Sequence, residues 1–170
     1  PFLLTKGQIE IFEGIFKKEY PRVHIQTPSQ YGKSDVVSMA VLTRVSTYAE
    51  KWALIAPTEK KAKIIIGYLI KHIFENEYTK TAFKIEPNEN EERIKRERNK
   101  NRLTFDVGNG QIGEVFVLSG ESHKIGEDAG NSLMGFGAPN LIMDEAALIS
   151  DLIYEKAIRM VGGHKENFVC

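Results

Sequence analysis

Apolar positions along the chain switch between helical and strand spacing, and most switches are marked by a capping or turn residue. Ile9, Phe12, Ile15 and Phe16 follow Thr5 and Gln8, whose separation is that of a capping box, so a helix is predicted from Thr5 to a stop at Pro21. Val23 to Gln26 alternates and predicts a short strand, Thr27 to Gly32 a loop, and Lys33 to Tyr48 a helix with Val36, Val37, Ala40, Val41 and Val45 on its apolar face. The unbroken run Trp52 to Ala56, stopped by Pro57, predicts a buried strand. Thr58 is placed to cap a helix carrying Ile65, Leu69, Ile73 and Phe74. Leu103 to Val107 and Ile112 to Leu118 predict strands around Gly108-Asn109-Gly110, a hairpin signal. Leu141 to Met143 predicts a further buried strand, Ser150 to Val161 a helix closed by Gly162-Gly163, and Asn167 to Cys170 the start of a last strand. Glu86 to Arg102 is almost wholly charged, and Ser119 to Pro139 is Gly-rich and aperiodic, a long loop of the functional or mobile kind.

Strands thus alternate with helices, apart from one hairpin. The pattern predicts an α/β three-layer sandwich with a mainly parallel central sheet. At 170 residues and 42% hydrophobic, the chain fits one domain with a full core and excludes wholesale disorder. Lys plus Arg and Asp plus Glu both total 23, so net charge gives no argument for nucleic-acid binding; a DNA contact would need a local patch or a further domain. Cys170 has no second cysteine to pair with, which fits a reducing intracellular setting. No apolar run approaches the ~18 residues of a membrane span, and no signal-peptide pattern opens the chain. The start without Met and the final run Phe168-Val169-Cys170, which reads as a strand cut short, lead us to expect one domain, residues 1–170, of a longer protein.

Thr27-Pro28-Ser29-Gln30-Tyr31-Gly32-Lys33-Ser34 lies between a predicted strand and a predicted helix, the context of a Walker A motif. Backbone N–H groups of such a loop and of the helix N-terminus offer partial positive charge to phosphates. Gly32 admits close backbone approach, Lys33 brings a mobile charge to the β- and γ-phosphates, and the Ser34 hydroxyl is a hard ligand for Mg²⁺. The first position of the motif is Thr27 rather than Gly, and Gly-Lys-Ser by itself also opens ordinary helices. Asn140-Leu141-Ile142-Met143-Asp144-Glu145, an apolar strand ending in two carboxylates, has the form of a Walker B motif. Asp144 would hold Mg²⁺, and Glu145 would act as the general base on the attacking water. A capping role for either acid is the plain alternative, weakened because Ser150 is better placed to cap the helix that follows. Both motifs in order predict a P-loop NTPase, and the adjacent Asp-Glu pair predicts the RecA-like, additional-strand, catalytic-glutamate type. Its extra strand would lie between the two Walker strands, with the strands at 52–56 and 112–118 leaving room for it.

At this point the sequence resembles the ATPase domain of viral (tailed-phage type) large terminase subunits over nearly its whole length. Gln8 matches their adenine-reading glutamine ahead of the P-loop. Gln30-Tyr31-Gly32-Lys33-Ser34 matches their deviant Walker A, and Ala56-Pro57-Thr58 their segment after the next strand. Ser132-Leu133-Met134-Gly135-Phe136-Gly137 resembles their approach to the Asp-Glu-Ala seen here as Asp144-Glu145-Ala146. The resemblance implies ATP and Mg²⁺ as ligands, with Gln8 and residues Thr27 to Asp35 binding nucleotide, Lys33 and Glu145 catalytic, and Ser34 and Asp144 on the metal. It implies work on double-stranded DNA with a portal or procapsid and a small terminase subunit, in the host cell cytoplasm and without a membrane. It also implies a homo-oligomeric ring when assembled, a monomer in isolation, and a C-terminal nuclease domain in the longer chain. The chain departs from the family where Ser29 and Met134 stand at places often held by Arg. That leaves Arg44, Arg102 and Arg159 as candidates for an activating arginine. Gln8 is equally explained by its capping box with Thr5.

Other readings compete. A superfamily-2 helicase shares the upstream Gln, Gly-Lys-Ser and Asp-Glu-Ala, and a nucleotide-gated binding module would hold ATP without turnover. Leu118-Ser119-Gly120-Glu121-Ser122 matches a transporter ATPase signature weakly. The basic run Arg93, Lys95, Arg96, Arg98, Lys100 and Arg102 is interleaved with Glu91, Glu92 and Glu97, as in a solvated helix. His24, His72, His123 and His164 show no metal-ligand spacing.

Overall fold

Thr5 caps the first helix, α1 (Lys6–Lys17), through a complete capping box. The helix ends where Lys18 turns left-handed, ahead of Pro21. Its buried stripe is Ile11 and Ile15, with Phe12 packed beside them; Ile9, expected in that stripe, is 44% exposed. Two positions along a helix are about 200° around it, so Ile9 faces away from Ile11. The computed structural model describes residues 3–84, 102–120 and 135–170. The charged run apart from Arg102, the stretch 121–134 with His123 and Met134, and the end of the transporter-like signature lie outside the described residues.

The remaining elements are α2 (Lys33–Thr47), β1 (Lys51–Ala56), α3 (Glu59–Glu75), α4 (Glu77–Phe83), β2 (Arg102–Gly108), β3 (Gln111–Ser119), β4 (Asn140–Met143), α5 (Asp151–Gly162) and β5 (Phe168–Val169). Thr58 caps α3, accepting the Lys61 N–H at 3.2 Å. Ser150 takes the N-cap position of α5, but its hydroxyl makes no capping bond. The short helix α4, capped by Asn76, was not predicted; its length leaves too few apolar repeats to show a period.

Among the described residues the sheet order is β2-β3-β1-β4-β5, with only the β2–β3 hairpin antiparallel. Alternation along the strands splits the core into two layers. Trp52, Leu54, Val115, Val117 and Ile142 face α1 to α4, while Ala53, Ile55, Leu118 and Leu141 face α5 through Ile153, Ala157 and Met160. This is the three-layer α/β sandwich with a mainly parallel sheet that the sequence predicts.

Two expectations are corrected. The strand predicted for Val23 to Gln26 reduces to one bridge, Arg22 with Val169, because the neighbouring β5 spans only two residues. Val23 donates to the Val169 carbonyl at 2.9 Å, and beyond it the segment has no ladder partner. The strand between the segment 22–26 and β4 is β5, which follows Asp144 and Glu145 in sequence, whereas the strands at 52–56 and 112–118 lie on the far side of β4. Apolar runs reveal strands but not their lateral order.

Candidate nucleotide site

The loop from Thr27 to Ser34 is turned by two left-handed residues, Gln30 (φ 60°) and Gly32 (φ 79°). Glycine takes that conformation without a Cβ penalty. Gly32 is also the N-cap of α2 and supplies no side-chain cap. The first-turn N–H groups of α2 therefore point toward the loop without a side-chain acceptor, the arrangement that favours an anion.

Lys33 and Ser34 both turn to the end of β4. The Lys33 Nζ lies 3.1 Å from Asp144 Oδ1, and the Ser34 hydroxyl donates to Asp144 Oδ2 at 2.9 Å. Asp144 is only 9% exposed, so its charge is held by these two partners. Its own N–H bonds the Ile55 carbonyl, which carries the β1–β4 ladder one residue further and fixes the carboxylate at the strand end.

Glu145 then adopts a left-handed backbone (φ 52°) and turns its carboxylate elsewhere. Its Oε1 meets Lys61 Nζ at 2.9 Å. The hydrogen bond to Glu145 is the main cause holding the Lys61 ammonium above its usual range. Sequence reasoning missed Lys61. It sits in the first turn of α3, behind the cap Thr58, and reaches Glu145 because β1 and β4 are neighbours. The signal was the Ala56-Pro57-Thr58 stop, readable only once that adjacency is known.

Asp35, grouped with the loop, points its side chain away from it. Its Oδ1 lies 2.7 Å from His72 Nε2, and His72 Nδ1 lies 2.6 Å from Glu75 Oε2. His72 is buried between the two carboxylates, clamping α3 to the start of α2. Gln8 lies against the loop backbone, its Nε2 donating to the Tyr31 carbonyl at 2.9 Å. Pro28, Ser29 and Gln30 are exposed, and Thr27 is half-buried.

Two clefts flank the loop. One, of about 680 Å³, opens between the segment from Arg22 to Thr27 and the end of β4, with Lys33, Asp144, Glu145 and Cys170 on its walls. Burial pushes the Cys170 thiol up to about 11, so at neutral pH it is a protonated wall residue, not a nucleophile. The other, of about 410 Å³, lies between α1 and the segment from Val23 to Pro28.

None of the three candidate arginines reaches these clefts. Arg44 is eleven residues beyond Lys33 on α2, roughly 16 Å along the axis, and binds Glu50 and the Phe16 carbonyl. Arg102 pairs with Glu114 at the hairpin, and Arg159 lies exposed near Glu155 on α5. Among the described residues, the arginine lining the larger cleft is Arg22. Also among the described residues, no cluster of three or more His, Cys, Asp or Glu could hold a metal, and no helix is long and apolar enough to cross a membrane.

The sequence matches no family model and no curated protein. The fold matches solved structures. The large terminase of a thermophilic bacteriophage superposes with a TM-score of 0.71 at 14% identity, covering 99% of this chain and 38% of that one. The large terminase ATPase domain of Thermus phage P74-26 superposes at 0.66 with 20% identity, covering 99% of this chain and 63% of that domain. A form of the first protein in complex with ADP superposes at 0.55 with 16% identity, covering 98% of this chain and 38% of that one. The chain has the fold of large terminase ATPase domains, and it spans less than two thirds of each of these three chains.

Proposed function

We propose that this chain is the ATP-hydrolysing part of a viral DNA-packaging motor of the large terminase type. The observation that carries the reading is the convergence of Lys33 and Ser34 on Asp144 at 3.1 and 2.9 Å, the Ser34 contact spanning 110 positions of sequence. The likeness to terminase ATPase domains supports the motor class, and the ADP held by one of those neighbours supports the ligand.

In this reading the triphosphate of ATP lies on the loop from Thr27 to Ser34. N–H groups of the loop and the first turn of α2 donate to its oxygens. Lys33 leaves Asp144 for the β- and γ-phosphates. Ser34 Oγ and the Asp144 carboxylate put hard oxygen donors within 2.9 Å of each other, a set that fits Mg²⁺, which would spread the phosphate charge when bound. Glu145, released from Lys61, orients the attacking water and takes its proton as the γ-phosphoryl group transfers and ADP leaves. Double-stranded DNA, a portal or procapsid, a small terminase subunit and a homo-oligomeric ring in the host cytoplasm are proposed as the setting.

One observation favours a second reading, a nucleotide binder without turnover: Glu145 is engaged by Lys61 rather than free. Two variants separate the readings. Lys33→Ala should weaken Mg·ATP binding in calorimetry, and equal affinity would refute the loop assignment. Glu145→Gln should bind ATP as the wild type does and lose turnover by about 10²-fold or more. A wild type that binds ATP and shows no hydrolysis in a sensitive phosphate assay would select the binder.

A further inference from the structure

Gln8 has its hydrogen-bonding capacity committed elsewhere than a base. Its Oε1 accepts from the Thr5 N–H at 2.9 Å and from the Thr5 hydroxyl at 3.2 Å, and its Nε2 donates to the Tyr31 carbonyl at 2.9 Å. An amide oxygen has two lone pairs, and both are used, so only one N–H of Nε2 remains. Reading adenine through a paired donor and acceptor would break the helix cap. The same amide sits over Gly32, where a Cβ would lie 3.1 Å from Nε2.

Tyr31 completes the joint from the other side. Its hydroxyl lies 3.2 Å from Thr5 Oγ1 and rests on Gly7, where a Cβ would come within 2.3 Å of it. A glycine in a helix is less favourable than alanine there, so a space for Tyr31 is a physical reason for Gly7. We infer that Thr5, Gly7 and Gln8 at the start of α1 form a brace that holds Tyr31 and Gly32 in the phosphate-binding conformation. Gln8 is thus a positioning residue for the triphosphate, not a reader of the base.

This inference rests on the proposed reading of the loop, and the test keeps the two apart. Affinities of the 170-residue chain for Mg·ATP, Mg·GTP and Mg·tripolyphosphate are measured by calorimetry, with melting temperatures alongside. Gln8→Met keeps the length of the side chain, adds no charge and removes both the donor to Tyr31 and the acceptor from Thr5. It should lower the melting temperature through the lost cap and weaken all three ligands by one common factor, about 3- to 10-fold, the worth of one net hydrogen bond. Gly7→Ala should give a similar common loss by displacing Tyr31, without touching the amide. A Gln8→Met protein that changes the ATP-to-GTP ratio while binding tripolyphosphate as the wild type does would overturn the inference. So would a Gly7→Ala protein with unaltered affinities. A wild type that binds neither ATP nor tripolyphosphate would overturn the loop reading and the brace together.

Discussion

If the two Walker segments meet through Lys33 and Asp144 without nucleotide, the contact must appear in stability. The perturbation is a double-mutant cycle, with Lys33→Ala, Asp144→Asn and the double variant compared with the wild type. Lys33 is 27% exposed and Asp144 9%, with 3.1 Å between charged atoms. At an effective dielectric of about 20, charges this close attract by roughly 5 kcal/mol, and desolvation of both groups offsets most of it. Lys33→Ala alone should cost about 2–3 kcal/mol, because it leaves a largely buried carboxylate with only the Ser34 hydroxyl. Asp144→Asn should cost about 1 kcal/mol, and the double variant less than the sum, with a coupling of about 1–2 kcal/mol. Urea unfolding at neutral pH and about 0.1 M salt reads all four values, provided the slopes agree. Additivity within about 0.3 kcal/mol would refute the contact, and with it the claim that Asp144 is held ready at the loop.

Lys61→Gln frees Glu145 from an exposed pair worth at most about 1 kcal/mol, so single-turnover hydrolysis should rise by no more than about 5-fold; a fall beyond 10-fold would give Lys61 a direct role in the reaction. Burial pushes Glu50 up, but hydrogen bonds from Arg44, Lys18 and Trp52 outweigh it and hold the carboxyl below its usual range. A lowered folded value means that stability is present above the ordinary carboxylate range and lost as pH falls from that range through the lowered folded value. Urea midpoints should therefore drop between about pH 5 and pH 3, and Glu50→Gln should flatten that slope while costing about 2 kcal/mol at neutral pH. Turnover per molecule should rise with protein concentration if the missing phosphate cation comes from a neighbouring copy. Fast turnover that stays constant down to monomer concentrations would instead place the cation within one chain, with Arg22 the first residue to substitute.

The sequence by itself determined the local elements. The capping box of α1, the cap of α3, the apolar runs and the Asn109-Gly110 turn act over a few residues, so α1, α2, β1, α3, the hairpin, β4 and α5 could be read from spacing alone. Gly32-Lys33-Ser34 and Asp144-Glu145 could be singled out as candidates for the same reason, since each run is contiguous. Tertiary structure decided everything that depends on lateral order. That β5 separates the P-loop segment from β4, that α3 follows a strand beside β4, and that Lys61 therefore meets Glu145 are consequences of sheet order, which apolar patterning does not encode. Arg44 shows the same limit: it follows the Walker A motif closely in sequence, yet the length of α2 carries it to Glu50 at the far end of that helix. Gln8 shows it too, because its spacing from Thr5 predicts the cap, but only the packing of α1 on Tyr31 commits its remaining amide to the loop.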